Sequence, residues 1–198
     1  RKAFYAVTYI SNISKYGRMG IIDLLNKLAD VYKYDSLKVL STSLQIESAL
    51  KQYKSASKGK PKKLSLALVN KFVEEIENSF DKENPGIGKA PKFPNSATIE
   101  TLLDIYVTFK NDKALEMASL MLKAMGNGGI YDQIESGFYR YSVDKEWMIP
   151  HFEKMLYTNA ELLSVYSKAY RITKDEFFKK IVDELISFTK IRFEDNNL

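Results

Sequence analysis

Ser96-Ala-Thr-Ile-Glu-Thr-Leu-Leu-Asp-Ile-Tyr-Val-Thr-Phe-Lys-Asn-Asp-Lys-Ala-Leu-Glu-Met-Ala-Ser-Leu-Met-Leu-Lys-Ala-Met-Gly126 contains two apolar stripes and one interruption. Ile99, Leu102, Leu103, Tyr106 and Phe109 recur at the three-and-four spacing of one helix face, and so do Ala114, Met117, Ala118, Met121 and Met125. Asn111-Asp112 breaks the pattern as a short turn. Asn95 or Ser96 is suited to cap the first helix, and Gly126 stands where a left-handed C-cap would close the second. Two helices of similar length across a short turn predict an antiparallel helical hairpin.

The same pattern extends outward. Upstream, Leu68, Val69, Phe72, Ile76 and Phe80 make a further stripe, followed by a loop over 81–94 that is too rich in Pro and Gly to be helical. Downstream, Phe152, Met155, Leu156, Asn159, Leu163, Tyr166 and Tyr170 define a helical face that opens with Pro150 at the first helical position. Thr173-x-x-Glu176 reads as a capping box for a last helix through Phe177, Ile181, Leu185 and Phe188. The expectation is a stack of hairpins, although no clear sequence period marks a repeat.

The opening third reads differently. Residues 4–10 are β-branched and aromatic, the composition of a strand. Gly17 and Gly20 mark a turn into a helix carrying Ile21, Leu24, Leu25, Leu28 and Tyr32, and a second helix is expected over 36–53. A boundary between the two parts is placed within 33–63. There Lys54, Lys58, Lys60, Lys62 and Lys63 sit among Ser, Gly and Pro. Lysines in that company read as a solvated linker, because a nucleic-acid patch would add stacking aromatics or a groove-entering helix face. No nucleic-acid partner is expected.

Composition narrows the chemistry. The 198 residues carry a net charge of +5 and no cysteine, so disulfides, thiolate metal sites and thiol catalysis are excluded within them. No apolar stretch has the length of a membrane span, and Arg1-Lys2 is not followed by a signal-peptide core. A cytoplasmic location and no membrane association are expected. The final residues, 194–198, read like a turn leading to more chain.

Gly128-Gly-Ile-Tyr-Asp-Gln-Ile-Glu-Ser-Gly-Phe-Tyr-Arg-Tyr-Ser-Val-Asp-Lys-Glu-Trp-Met-Ile-Pro-His-Phe-Glu-Lys-Met-Leu-Tyr-Thr-Asn159 holds the only Trp and the only His. A connection this long exceeds what packing two helices needs, and long loops on rigid scaffolds carry function. Asp132, Asp144, Glu153 and Arg140 could fix hydroxyls by charge-assisted hydrogen bonds, and Tyr131 and Trp147 could cover the apolar face of a sugar ring. A helix starting at Pro150 would aim free amides at the same loop. It would also keep His151 and Glu153, two residues apart, off one face.

Each candidate has a structural reading beside the functional one. His151 is equally a catalytic acid or base and a histidine satisfied by nearby carboxylates. Any one of Asp132, Asp144 and Glu153 reads first as a salt-bridge partner of Arg140, Lys145 or Lys154. Trp147 reads first as an anchor. Asn159, on an apolar stripe, needs either core carbonyls or a ligand. One histidine without cysteine gives no metal-ligand spacing, so neither metal nor cofactor is expected.

Gly-Gly-Ile-Tyr-Asp-Gln-Ile, Phe-Tyr-Arg-Tyr-Ser-Val-Asp and Trp-Met-Ile-Pro-His-Phe-Glu-Lys-Met-Leu-Tyr resemble the signature of the spermatogenesis-associated protein 20 family. Gly88-Lys-Ala-Pro-Lys-Phe-Pro94 is similar to that family's second signature, with Lys89 in place of a usual glycine. Thr8-Tyr9 and Gly17-Arg18-Met19-Gly20 look like the end of its thioredoxin-like domain. Two positions depart from the pattern: Glu135-Ser136 replaces Gly-Gly, and Thr158 stands where Asp is usual.

The resemblance implies a mainly α chain, a partial (α/α)6 toroid of helical hairpins of the six-hairpin glycosidase type. It would be preceded by the C-terminal strand and helix of a thioredoxin-like domain. Residues 1–35 would be that domain's remnant, 36–63 a connecting helix and basic linker, and 64–198 the first hairpins of the toroid. The chain would then be an internal piece whose partner is the remainder of its own polypeptide.

Two functions follow as expectations. In the first, a sugar epimerase or glycoside hydrolase uses His151 and Asp132 as proton-transfer groups, with Tyr131, Arg140, Asp144, Trp147, Glu153 and Asn159 binding a sugar or sugar derivative. In the second, a non-catalytic binding or scaffold protein reuses the same fold. The discriminating geometry is whether Asp132, Arg140, Asp144 and His151 converge on one open pocket.

Overall fold

The structure is a computed structural model that describes residues 2–56 and 65–194. Chain contacts divide it into two units, Arg1–Lys63 and Leu64–Leu198. The lysines expected to form a linker, Lys54 apart, and the expected turn at 195–198 lie outside the described residues.

In the first unit, a tight turn pairs Lys15 with Arg18 through Tyr16 and Gly17, both at positive φ. Helix α1 (Ile21–Tyr34) and helix α2 (Ser36–Ala56) follow. Asp35 links them: its amide closes α1 on the Val31 carbonyl, and its carboxylate accepts the Lys38 amide at 3.1 Å. That is the N-cap chemistry of a short acidic side chain. At Gly20 a β-carbon would meet the Ile13 backbone at 2.4 Å, so only glycine lets the two segments approach.

The predicted strand over 4–10 is not formed. A strand needs a neighbour for its backbone groups, and no described segment pairs with this one; Tyr5, Val7 and Tyr9 face outward. The α1 stripe is realised as a helix but is little buried, with Leu24 enclosed and Ile21, Leu25 and Tyr32 exposed.

The second unit comprises α3 (Leu66–Ser79), a two-stranded hairpin β1 (Phe80–Asp81) and β2 (Gly86–Ile87), α4 (Ser96–Phe109), α5 (Asp112–Asn127), α6 (Leu156–Thr173) and α7 (Glu176–Phe193). Helices α4 and α5 form one antiparallel hairpin, α6 and α7 another, and α4 packs on α6. The core runs between them through Ile99, Leu102, Met121, Leu122, Leu162, Tyr166, Phe178 and Leu185.

Both hairpins turn by the same chemistry. Lys110 and Lys174 take left-handed conformations, donating their amides to Tyr106 and Tyr170, and their ammonium groups lie over those same rings. The next residue, Asn111 or Asp175, caps the following helix by accepting an amide at 3.0 Å. The pattern Tyr-x-x-x-Lys-(Asn/Asp) is therefore a structural repeat, too short to register as a sequence period.

Three expected helix ends are displaced. Gly126 is not a left-handed cap; α5 continues to Asn127 and ends on an extended Gly128. Thr173 ends α6, leaving Asp175 to cap α7. Helix α6 begins at Leu156 rather than Pro150, because residues 149–151 are held as extended chain. Its buried face is accordingly Asn159, Leu162, Val165, Tyr166 and Ala169, with Leu163 and Tyr170 at the margin.

Candidate functional site

Three short extended segments meet beside the hairpins. Lys92 and Ser142 exchange both backbone hydrogen bonds at 2.8 Å, and Ser142 also pairs with Pro150. The Val143 amide donates to Ile149 at 2.7 Å and the His151 amide to Tyr141 at 2.9 Å. Successive residues of an extended chain point to opposite faces. Lys92 and Ser142 therefore turn inward and are fully buried, while Phe93, Tyr141 and His151 fall in register on the outer face. Their rings stack in that order, at 4.9 Å from Phe93 to Tyr141 and 4.8 Å from Tyr141 to His151.

The inward face is held by a buried cation. Lys92 Nζ donates to Asp81 Oδ2 at 3.0 Å, to the Asn84 carbonyl at 2.6 Å and to the Lys145 carbonyl at 2.9 Å, and lies over the Trp147 indole. All three of its protons are placed. Burial alone would raise the Asp81 carboxyl, but the Asn84 amide and the Lys92 ammonium outweigh it and hold the group below its ordinary value.

Most residues singled out from the sequence are bound into this framework. The Trp147 indole donates to the Pro85 carbonyl at 2.8 Å and is almost wholly enclosed. Asp144 accepts the Met148 and Ile149 amides and the Ser142 hydroxyl, closing the turn between two of the extended segments. Asn159 is fully buried, accepting the Phe138 amide at 2.6 Å and donating to the Phe138 and Met155 carbonyls. Tyr131 is buried against Phe138 and donates to Glu184 at 2.5 Å. Burial and that carboxylate push its phenol well above the ordinary value.

Asp132 is the most heavily engaged. It accepts the Ile134 and Glu135 amides, the Tyr139 hydroxyl at 3.0 Å and the Lys154 ammonium at 2.7 Å. Burial would raise its carboxyl; the ammonium, amides and hydroxyl together drive it far below the usual carboxylate range. Lys154 is enclosed between the Tyr139 and Phe188 rings, tying this loop to α7. Gly129 makes the loop's closest approach: a β-carbon there would lie 2.1 Å from the Met148 carbonyl oxygen. Ser136, at one of the positions departing from the family's paired glycines, adopts the positive φ that glycine takes freely.

Arg140, Glu153 and His151 remain at the surface. Arg140 Nη1 lies 3.4 Å from Glu153 Oε2, and His151 Nδ1 lies 3.7 Å from the same oxygen. The His151 side chain is 46% exposed. The expectation that a helix would keep His151 and Glu153 on different faces does not hold, because the helix starts only at Leu156. Residues two apart diverge on a helix, but here the chain turns tightly at Phe152, the Glu153 amide bonding the His151 carbonyl at 2.7 Å, and that turn brings the two side chains together. The amides expected to point from a helix start are likewise occupied, that of His151 by Tyr141 and that of Glu153 by the His151 carbonyl.

Arg140 also lines a cleft of about 210 Å³ with Phe93, Pro94, Ser96, Tyr157 and Glu161. Ser96 donates to Glu161 across it at 2.5 Å. Thr158, which replaces the family's Asp, lines the same cleft from a buried position. The four polar groups whose convergence would discriminate the two functions separate: Asp132 and Asp144 bond within the loops, Arg140 faces the cleft, and His151 sits on the ring stack.

Lys92, Phe93, Tyr141, Ser96 and Glu161 were not singled out as site residues from the sequence. The available signal for two of them was Lys92-Phe93 within the Gly-Lys-Ala-Pro-Lys-Phe-Pro stretch, where a charged and an aromatic residue alternate in extended context. Among the described residues, no cluster of three metal-ligating side chains occurs and no helix is long and apolar enough to cross a membrane.

No protein-family model matches the chain. Individual proteins do. Spermatogenesis-associated protein 20 of Rattus norvegicus is 34% identical over 191 residues, 93% of this chain and 24% of that protein. The Homo sapiens protein is 31% identical over the same extent. The chain is a relative of spermatogenesis-associated protein 20. It spans about a quarter of the length of those curated relatives.

Solved structures align with about two thirds of the chain. A sugar epimerase from a ruminal bacterium superposes with a TM-score of 0.58 at 18% identity, covering 64% of this chain and 35% of that one. Cellobiose 2-epimerase from Bacillus thermoamylovorans gives 0.56 at 18% identity, covering 67% and 39%. A GH76 α-mannanase from Bacteroides thetaiotaomicron gives 0.52 at 14% identity, covering 63% and 37%. At these identities the likeness is one of fold: the chain is mainly helical and shares the hairpin architecture of (α/α)6 toroids, matching rather more than a third of each.

Proposed function

We propose that this protein is a carbohydrate-active member of the six-hairpin glycosidase-like group, binding a sugar at the cleft and ring stack and acting on it as an epimerase or hydrolase. The observation that carries the reading is the grouping of Arg140, Glu153 and His151, exposed and within 3.4–3.7 Å of one shared oxygen, beside a three-ring stack. His151 is the proton-transfer group in this reading, because it is exposed and has a carboxylate to orient its ring. Arg140 orients a hydroxyl or ring oxygen, and the Phe93 face supplies the apolar side of the pocket. Asp132, Asp144, Tyr131, Trp147 and Asn159 support the site from within. The cysteine-free composition suits a reducing compartment, so we place the protein in the cytoplasm. We assign residues 1–35 and 36–63 to the end of a thioredoxin-like domain and its connection to the toroid hairpins.

A second reading, a non-catalytic scaffold, is favoured by one observation: the half-buried Asp132 and Asp144 are each engaged by several donors of the loops they hold. Calorimetric titration with neutral hexoses and disaccharides separates the two, combined with NMR detection of epimerised or hydrolysed product. Arg140→Gln should weaken sugar binding about 10- to 100-fold, the value of a charge-assisted hydrogen bond. His151→Ala should retain binding and lose turnover. Binding without turnover in the wild type selects the scaffold reading. No binding to any sugar refutes the carbohydrate reading, and binding that ignores Arg140 refutes the placement of the sugar at this cleft.

A further inference from the structure

We infer that Thr158 and Glu161, one turn apart on α6, are ligand-binding residues that take neighbouring hydroxyls of the sugar in the cleft and decide which sugar it accepts. The inference rests on the carbohydrate reading above and adds the groups that read the sugar's configuration. Both residues line the cleft together with Arg140, and Glu161 is the sole carboxylate in that lining. Residues three apart on a helix share a face, with about 5–6 Å between their β-carbons.

Thr158 carries a hydroxyl that the fold does not use. Threonines elsewhere in the helices donate to the carbonyl four residues earlier, as Thr101 does to Ala97, Thr173 to Ala169 and Thr189 to Leu185, each at 2.8 Å. Thr158 lies in the first turn of α6, and the residue four earlier, Lys154, precedes the helix start at Leu156. The helix therefore places no carbonyl where this hydroxyl could use it. Among the described residues the Thr158 hydroxyl makes no hydrogen bond, although the residue is only 7% exposed, and its oxygen is not sealed from solvent. A polar group so enclosed is costly to leave without a partner. A ligand hydroxyl in the cleft supplies one.

Glu161 is held in place without being used up. Ser96, the first residue of α4, donates to its Oε2 at 2.5 Å. Among the described residues Glu161 makes no ion pair, and no donor reaches its Oε1. Asp132 and Asp144 differ in this respect, since amides, hydroxyls and an ammonium of their own loops engage them. A carboxylate only accepts, whereas a hydroxyl both donates and accepts. One sugar hydroxyl therefore donates to Glu161 Oε1 while its neighbour on the ring pairs with Thr158. An epimer that points either hydroxyl elsewhere forfeits a charge-assisted bond at Glu161 or leaves the enclosed Thr158 hydroxyl unpartnered, and that difference is how the pair discriminates.

The test is isothermal titration with glucose, mannose, galactose and cellobiose, followed by the monodeoxy analogues of whichever binds wild type most tightly. Glu161→Gln should weaken that sugar about 10- to 100-fold, the worth of a charge-assisted hydrogen bond. On one monodeoxy analogue, the one lacking the hydroxyl that Glu161 accepts from, wild type and Glu161→Gln should bind alike, which a merely structural role would not produce. Thr158→Val should weaken binding about 3- to 10-fold, yet melt at or above the wild-type temperature in circular dichroism, because an unpartnered hydroxyl is replaced by a methyl group. Three results overturn the inference while wild-type binding leaves the carbohydrate reading standing. These are wild-type affinity in either variant, a Glu161→Gln penalty that persists on every monodeoxy analogue, and a Thr158→Val melting temperature well below that of wild type. Absence of wild-type binding to all four sugars refutes the carbohydrate reading, and the inference falls with it.

Discussion

Replacing Lys92 with methionine tests whether one buried cation holds the extended segments of the site together. The change keeps the length and most of the apolar stem while removing the ammonium. Left behind are the Asp81 carboxylate and the Asn84 and Lys145 carbonyls, which accept from Lys92 at 3.0, 2.6 and 2.9 Å. Removing one partner of a buried ion pair costs about 3–5 kcal/mol, chiefly through the charge left unpaired. Lys92 is wholly enclosed, but the Asp81 side chain is 21% exposed and keeps some access to water. The lower end applies, about 3 kcal/mol. For a domain of this size each kcal/mol shifts the melting temperature by roughly 3–4 °C, so a fall of roughly 10 °C is expected.

The pH dependence adds a signature that packing defects lack. Asp81 has a lowered pKa in the folded state, so its contribution to stability is present above the unfolded value, near 4, and is lost as pH falls through the folded value. Lys92 is one source of that lowering. The gap between wild type and Lys92→Met should be full at neutral pH and narrow as pH falls below about 4. The double variant Lys92→Met/Asp81→Asn should recover part of the loss, since no unpaired charge remains. Urea unfolding followed by far-UV circular dichroism reads all three. A single variant within about 0.5 kcal/mol of wild type at neutral pH would sink the argument.

Two further outcomes follow from the same bonding. Asn159→Leu should cost about 2–3 kcal/mol in urea unfolding, because the Phe138 amide and carbonyl lose their side-chain partner inside the core, while the Met155 carbonyl keeps the residue-159 amide; an effect below about 1 kcal/mol would contradict the reading. Asp132→Asn should make the acid limb of the stability curve shallower: the folded carboxyl is held far below its unfolded value, so wild type loses this contribution as pH falls from about 4 and the variant has none to lose. Parallel acid limbs in calorimetric scans of the two proteins would refute it.

What the sequence made legible was whatever depends on local period. The hairpin of α4 and α5 follows from Ile99, Leu102, Leu103 and Met117, Ala118, Met121 at helical spacing, and those side chains are buried as expected. The strand over 4–10 was not legible, because β-rich composition describes a surface that fits a sheet and supplies no neighbour to pair with. The segment around Pro150 failed for a related reason. Proline at a helix start and proline in extended chain make the same demand on φ. Only the pairing of Ser142 with Pro150, a contact between distant residues, chooses between them. The Phe93–Tyr141–His151 stack was invisible for the same cause, since its members meet only after that pairing is made.

The misreading at Pro150 determines where chemistry can sit. On a helix, His151 and Glu153 would have parted and the free amides would have been the attraction of the site. In the structure the His151 amide is consumed by Tyr141 and the Glu153 amide by the His151 carbonyl, and the turn between them brings the two side chains together. The carboxylates that sequence composition made most conspicuous, Asp132 and Asp144, are then needed to hold the loops whose pairing creates that face. Their many partners and lowered pKa values are properties of support: a carboxylate held far below neutral pH and surrounded by donors is poorly matched to exchanging a proton with a substrate. Exposure and incomplete bonding mark the other set, in which Arg140 has one carboxylate contact at 3.4 Å and His151 one at 3.7 Å. A ligand can gain from groups that still have donors to offer. In the proposed carbohydrate reading, the ligand-facing groups of this loop are therefore Arg140, His151 and Glu153, with Lys92 and Phe93 in the paired segments that carry them.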